Sequence, residues 1–221
     1  MEAVATRIAP AAVPQSHITV AGLRRALGDC VLAASFLVAM LPAGREISFT
    51  LAGAANLVWL TGAAVMAVMS FVRFAPRSAT VNLRTMAASA AMLILPCFMR
   101  PIDRSTGALA TVGLVFELCG VMLTQVARVY MGRSFGILPA NRGIVSKGPF
   151  RWVRHPIYFG WLVLSIGYAM SYTNPRNVIL IVATLPFMVW RIDQEEVHLG
   201  ADPDYRGYMD RVRYRLLPGL I

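Results

Sequence analysis

The chain has 221 residues, 57% of them hydrophobic and 14% charged, with a mean hydropathy of +0.60. That composition is far from the soluble globular average and excludes an ordinary water-soluble domain. The 21 Lys and Arg against 11 Asp and Glu give a formal charge of +10. These basic residues are scattered between apolar stretches with no single patch, so nucleic-acid binding does not account for them. A membrane protein whose cytoplasmic loops hold the arginines explains hydropathy and charge together.

Residues 1–25, with Pro10 and Pro14, read as an N-terminal arm. The apolar stretch that follows starts too late and lacks the cleavage site of a signal peptide, so it reads as an uncleaved helix. At 1.5 Å per residue, about 30 Å of hydrocarbon calls for long apolar runs, and the chain offers six candidates. They are 26–43, 49–72, 79–99, 108–131, 157–173 and 176–192. The expected fold is therefore an all-α integral membrane protein with about six transmembrane helices. No charge falls between Ile47 and Val72, whereas Arg84 interrupts the third stretch and is placed to snorkel toward water. Thr173-Asn174-Pro175-Arg176 reads as the turn of a tight helical hairpin.

Six spans leave Arg45, Arg100, Arg104 and Arg176 on one side of the membrane and the other seventeen of the 21 basic residues on the opposite side. This bias predicts that both termini are cytoplasmic. The organisation expected is the arm at 1–25, N-terminal transmembrane helices at 26–131 and a catalytic region at 132–221. Cys30, Cys97 and Cys119 sit inside apolar stretches and read as small buried hydrophobes. His17, His155 and His198 are far apart, so no metal site is expected.

Two polar clusters stand out. Gly132 to Pro156 is a long loop between apolar helices, and loops of that length are usually functional or disordered. It ends in GPFRWVRHPIYFGW, where Pro156 suits the first turn of a helix, His155 lies at the helix mouth and Tyr158 projects from the first turn. His155 reads equally as an interfacial histidine at a helix end, and Trp152, Tyr158 and Trp161 as an aromatic belt. The second cluster follows the sixth span, with Asp193, Glu195 and Glu196, then Asp202, Asp204, Tyr205, Tyr208 and Arg211. Tyr205, Tyr208 and Val212 share one helical face. That helix also reads as an amphipathic one lying on anionic headgroups. The hairpin returns both clusters to one membrane face, which favours their convergence. Glu117, inside the fourth span, is costly at membrane depth and is either functional, paired with an arginine or protonated.

The order RHPxYxG, Asn-Pro hairpin, EExxL and Tyr205-x-x-Tyr208-x-x-Arg211-Val212 resembles the isoprenylcysteine carboxyl methyltransferase family, itself similar to the phospholipid methyltransferases. The resemblance covers about 142–219. It implies an S-adenosylmethionine-dependent membrane enzyme with a cytosolic cofactor pocket. His155, Tyr158, Gly160, Glu195 and Glu196 would bind the cofactor, whose sulfonium and ammonium suit carboxylates. Arg154 and Arg211 would be catalytic, orienting an acceptor carboxylate by bidentate forks. Tyr205, Tyr208 and Glu117 would line the acceptor site. The implied partners are a lipophilic small-molecule or lipid-linked substrate and membrane lipids, with no nucleic acid and no metal. The alternative is an NADPH-dependent integral-membrane reductase of the sterol reductase type, which looks similar in this region.

Overall fold

The computed structural model describes residues 34, 51–72, 74, 78–79, 83–136, 140–217 and 219. The N-terminal arm and, apart from residue 34, the first candidate span lie outside the described residues. The second span is α1, Leu51–Val72, and the third is α2, Leu83–Ile94, which tightens into a 3-10 turn at Leu95–Phe98. Pro96 explains the change, because its ring and missing N–H cannot continue an α-helical ladder. The fourth span is α3, Gly107–Met131, with a 3-10 turn to Ser134; the fifth is α4, Pro156–Ser171.

The sixth, α5, is Pro175–Leu199 and ends at Leu199 rather than 192. The apolar run stops, but Asp193 to Glu196 includes good helix formers and the helix continues through them. The acidic cluster thus lies on the last turns of α5 and not beyond it. Asn174 caps α5 by accepting a hydrogen bond from the Arg176 N–H, with Pro175 in the first turn. A short α6, Pro203–Arg211, is capped the same way by Asp202.

Among the described residues, two helices are long and apolar enough to cross a membrane, Gly107–Ser134 and Pro175–Leu199. Only 22% and 33% of their most apolar windows are buried within the protein. The core helix of a soluble domain would be mostly covered; here Val112, Val115, Phe116, Met122, Val126 and Val129 of α3 face outward instead, as lipid-facing side chains do.

Loops alternate between two ends of the helices. At one end Arg100 and Asn177 exchange hydrogen bonds, Ser105 N–H reaches Ser171 O, and Asn174 Nδ2 donates to Asp103 at 2.6 Å. At the other end Phe74 N–H donates to Arg133 O, and a two-residue antiparallel ladder joins Ser78–Ala79 (β1) to Ala140–Asn141 (β2). The all-helical expectation did not include this ladder. The 140–156 segment, the last turns of α5 and α6 also gather there, so it is the basic end.

α4 and α5 are not packed on one another along their lengths. α4 lies against α3 through glycines spaced seven apart on both helices. A Cβ on Gly120 would stand 2.3 Å from Leu164 N, and one on Gly167 would stand 2.5 Å from Glu117 N. Backbones this close require small residues. α5 leaves α4 and packs on α2. Between them at the basic end, Met188, Ile192 and Leu216 form a core flanked by Met92, Tyr158, Phe159, Trp161 and Leu185.

Candidate active site at the basic end

The site begins where the long loop turns into α4. His155 is the cap residue of that helix and Pro156 opens it. Facing them is Glu196 on α5, 7% exposed, whose two carboxylate oxygens accept from four donors. Oε1 receives Arg154 Nε at 2.7 Å and lies 3.0 Å from His155 Nε2. Oε2 receives Arg154 Nη2 at 3.3 Å and Arg215 Nε at 2.9 Å. A buried carboxylate is tolerable only when so fully hydrogen-bonded.

The same group holds the segment after α6. Arg154 Nη1 donates to Val212 O at 2.8 Å and Arg213 O at 2.7 Å. The backbone N–H groups of Arg154 and His155 donate to Tyr214 O and Arg215 O, both at 2.9 Å. Residues 212–216 therefore run as a strap across the mouth of α4, with Val212 and Leu216 buried.

Next to this cluster is a second network built around Arg191, which is 7% exposed. Its Nε donates to the Tyr158 hydroxyl and its Nη1 to the Ser89 hydroxyl of α2. Tyr158 Oη in turn donates to Glu195 Oε2 at 3.3 Å. The chain of contacts thus crosses α2, α5 and α4 and ends on a half-buried carboxylate.

α6 closes the remaining side. Tyr205 and Tyr208 are 4% and 2% exposed and pack with Val212, Ile144 and Leu199. Tyr208 Oη donates to Phe150 O at 2.7 Å, and Asn141 Nδ2 donates to Asp202 at 2.6 Å, so the long loop is fastened to α6. The Tyr205 hydroxyl makes no hydrogen bond among the described residues. Burial first, then the nearby Glu196 and Glu195 carboxylates, push it above the ordinary tyrosine value; burial also raises Tyr208. Tyr205 is therefore a neutral donor beside two carboxylates.

Of the residues singled out in the sequence, His155, Tyr158, Glu195, Glu196, Tyr205, Tyr208 and Arg154 come together. Three stand differently from expectation. Gly160 faces α3, where a Cβ would lie 2.4 Å from Thr124 Oγ1, so the space beside it is filled by a helix. Arg154 has its fork on Glu196 and the strap carbonyls rather than open to a ligand. Glu117 lies opposite Gly167, twelve residues along α4 from His155 and so about 18 Å away along the axis; it is not part of this cluster. Arg211 is exposed at the end of α6.

Arg191, Arg215 and Ser89 were missed. Arg191 counts toward sidedness like any basic residue, yet its spacing of four from Glu195 on one helix is a signal of pairing. Ser89 has no local signal, since only the packing of α2 on α5 brings it in.

Residues 108–201 match the model of the isoprenylcysteine carboxyl methyltransferase (ICMT) family. The match begins at α3, before the stretch that carries the sequence resemblance, and stops short of the tyrosines of α6. The chain is 32% identical over 97 residues to protein-S-isoprenylcysteine O-methyltransferase of Xenopus laevis, covering 41% of this chain and 34% of that one. Against protein-S-isoprenylcysteine O-methyltransferase A of Arabidopsis thaliana it is 32% identical over 94 residues, 40% of this chain and 48% of the other. For the Homo sapiens enzyme the identity is 30% over 97 residues, 41% and 34%. The chain thus spans between a third and a half of the length of these curated relatives. A solved structure of a eukaryotic intramembrane Ras methyltransferase ICMT aligns over 88% of this chain and 85% of its own, at 21% identity and a TM-score of 0.44. The relatives' names are those of methyltransferases, and nothing among them supports the reductase reading. Through residues 108–201 the chain is thus similar to the isoprenylcysteine carboxyl methyltransferase family.

Proposed function

We propose that this protein is an S-adenosylmethionine-dependent membrane methyltransferase whose acceptor is a carboxylate on an apolar or lipid-linked molecule. The observation that carries the reading is the meeting of the RHP turn with the acidic end of α5, His155 Nε2 lying 3.0 Å from Glu196 Oε1. The name of the matching family supports the acceptor class, a carboxyl group on an isoprenylated cysteine. The basic end is the cytoplasmic side in this reading, and the catalytic region comprises α3 and residues 132–221.

The residues present fit the donor chemically. Glu195 is half-buried, with one hydrogen bond from Tyr158, so it retains acceptor capacity for an ammonium or a ribose hydroxyl. The hydroxyl of the mostly buried Tyr205 near it makes no hydrogen bond among the described residues and offers a donor. S-adenosylmethionine supplies an electrophilic methyl group on a sulfonium. Glu195, Tyr158 and Tyr205 hold and orient that group, while Glu196, His155 and Arg154 fix the turn on which Tyr158 stands. Gly160 and the glycines opposite it set the distance of α4 from α3. Arg211, exposed at the end of α6 and with no ion pair among the described residues, has its fork free to meet the acceptor carboxylate. A carboxylate nucleophile needs orientation and exclusion of water rather than a general base. Lipid on the apolar faces of α3 and α5 brings the acceptor in from the side.

The test has two steps. Purified protein in detergent is titrated with S-adenosylmethionine, and unfolding should shift upward with concentration as expected for a ligand of the native state. Transfer of labelled methyl is then measured to a prenylated cysteine with a free carboxylate and to its methyl ester. Transfer to the first alone is expected; no shift and no transfer would overturn the reading.

A further inference from the structure

The helix α2 precedes the matched residues 108–201, yet it presents a buried polar face to α5. Thr85, Ala88 and Ser89 are 2%, 3% and 3% exposed, at the spacing of one helical face, and Met92 continues that face into the core. Of these, Ser89 accepts from Arg191 Nη1. The guanidinium is held at three points: the Ser89 hydroxyl, the Tyr158 hydroxyl on Nε, and the ring of Tyr158, whose centroid is 5.9 Å from the guanidinium carbon.

This arrangement decides where two other groups point. Because Arg191 donates to the Tyr158 oxygen, the phenolic proton is directed to Glu195. Arg191 and Glu195 are four apart on α5, the spacing at which an arginine and a carboxylate pair directly on one helix face. With its Nη1 engaged by Ser89, the guanidinium is drawn to the α2 side and bonds Glu195 only through the tyrosine. Without that acceptor, a buried guanidinium seeks the nearest alternative, and Glu195 is one turn away.

We infer that Ser89 is a positioning residue for the donor site: by anchoring Arg191 to α2 it keeps that guanidinium off Glu195 and leaves the carboxylate open to a cationic ligand. This rests on the reading of Glu195 as a donor-binding group. It assigns to a helix outside the family match a share in setting cofactor affinity.

The experiment measures S-adenosylmethionine binding by calorimetry on the full chain in detergent, for wild type, Ser89→Ala, Arg191→Gln and the double variant. Ser89→Ala should weaken binding about tenfold, the scale of one lost hydrogen bond to a charged group. The effect should vanish in the Arg191→Gln background, because Ser89 acts only through Arg191. Ser89→Cys, which keeps the volume with a poorer acceptor, should fall between wild type and alanine and serves if Ser89→Ala does not fold. Equal affinity of wild type and Ser89→Ala, or an undiminished effect of Ser89→Ala in the Arg191→Gln background, overturns the role of Ser89 alone. Absence of binding by the folded wild type overturns the donor-site reading and this inference with it.

Discussion

The two ends of the helices are fastened by different chemistry. At the end opposite the basic one, the loops 99–106 and 171–177 are laced largely by backbone groups, with Asn177, fully buried, exchanging hydrogen bonds with Arg100 N–H and C=O. At the basic end a single carboxylate gathers two guanidinium groups and a histidine, and a second carboxylate ends a chain of hydroxyl and guanidinium contacts. Lacing that is mostly neutral, with the Asp103 carboxylate taken up by Asn174, fixes a fold and offers little to a charged ligand. Charged lacing also fixes it, but leaves a field into which a charged ligand fits. Both ends hold the fold, and the proposed chemistry belongs to the charged one.

The sharpest way to break that division is Glu196→Ala. It leaves Arg154 buried without its counter-charge and removes the Arg215 contact from the strap, so a loss of about 3–5 kcal/mol is expected, read as failure to accumulate folded protein or a collapse of thermal unfolding in detergent. The glycine seam is common to both ends, so Gly120→Leu should destabilise the protein by about 1–3 kcal/mol through overpacking against Leu164. Unfolding should fall whether or not S-adenosylmethionine is present. Asn177→Ala tests the neutral end. Two backbone groups lose their partner, and about 1–3 kcal/mol of stability should go, with donor affinity measured by calorimetry unchanged. The smallest effect belongs to Asp193→Ala, whose partner Arg215 is 37% exposed in the pair. Less than about 1 kcal/mol is expected there, and a larger loss would show that the strap depends on that pair rather than on Glu196.

The helices themselves were largely legible. Apolar length located α1 to α5 to within a few residues at most ends, because a long apolar run leaves so direct a trace in composition. Where the reading stopped short, at 192, hydropathy had been used to end a helix that hydrogen bonding carries to Leu199. The convergence of His155 with Glu196 was also legible, since an Asn-Pro turn between two spans returns the chain to the same face. Partner choice was not. Arg154 and Glu196 bind each other, a fact that no spacing of 42 residues in sequence could announce. Glu117 drew notice as a charge at depth, but its distance along α3 puts it away from the basic end. Ser89 and Arg191 meet because α2 packs on α5, which depends on the whole arrangement.

The strap has a consequence for the order in which the site is completed. Tyr214 and Arg215 supply the carbonyls that hold the turn entering α4, and they are made after α1 to α6. A nascent chain that has emerged only as far as α6 has α1 to α6 complete while Glu196 still lacks one guanidinium and Arg154 lacks two carbonyls. The charged cluster is thus completed only once the residues that follow α6 are available to cross the mouth of α4.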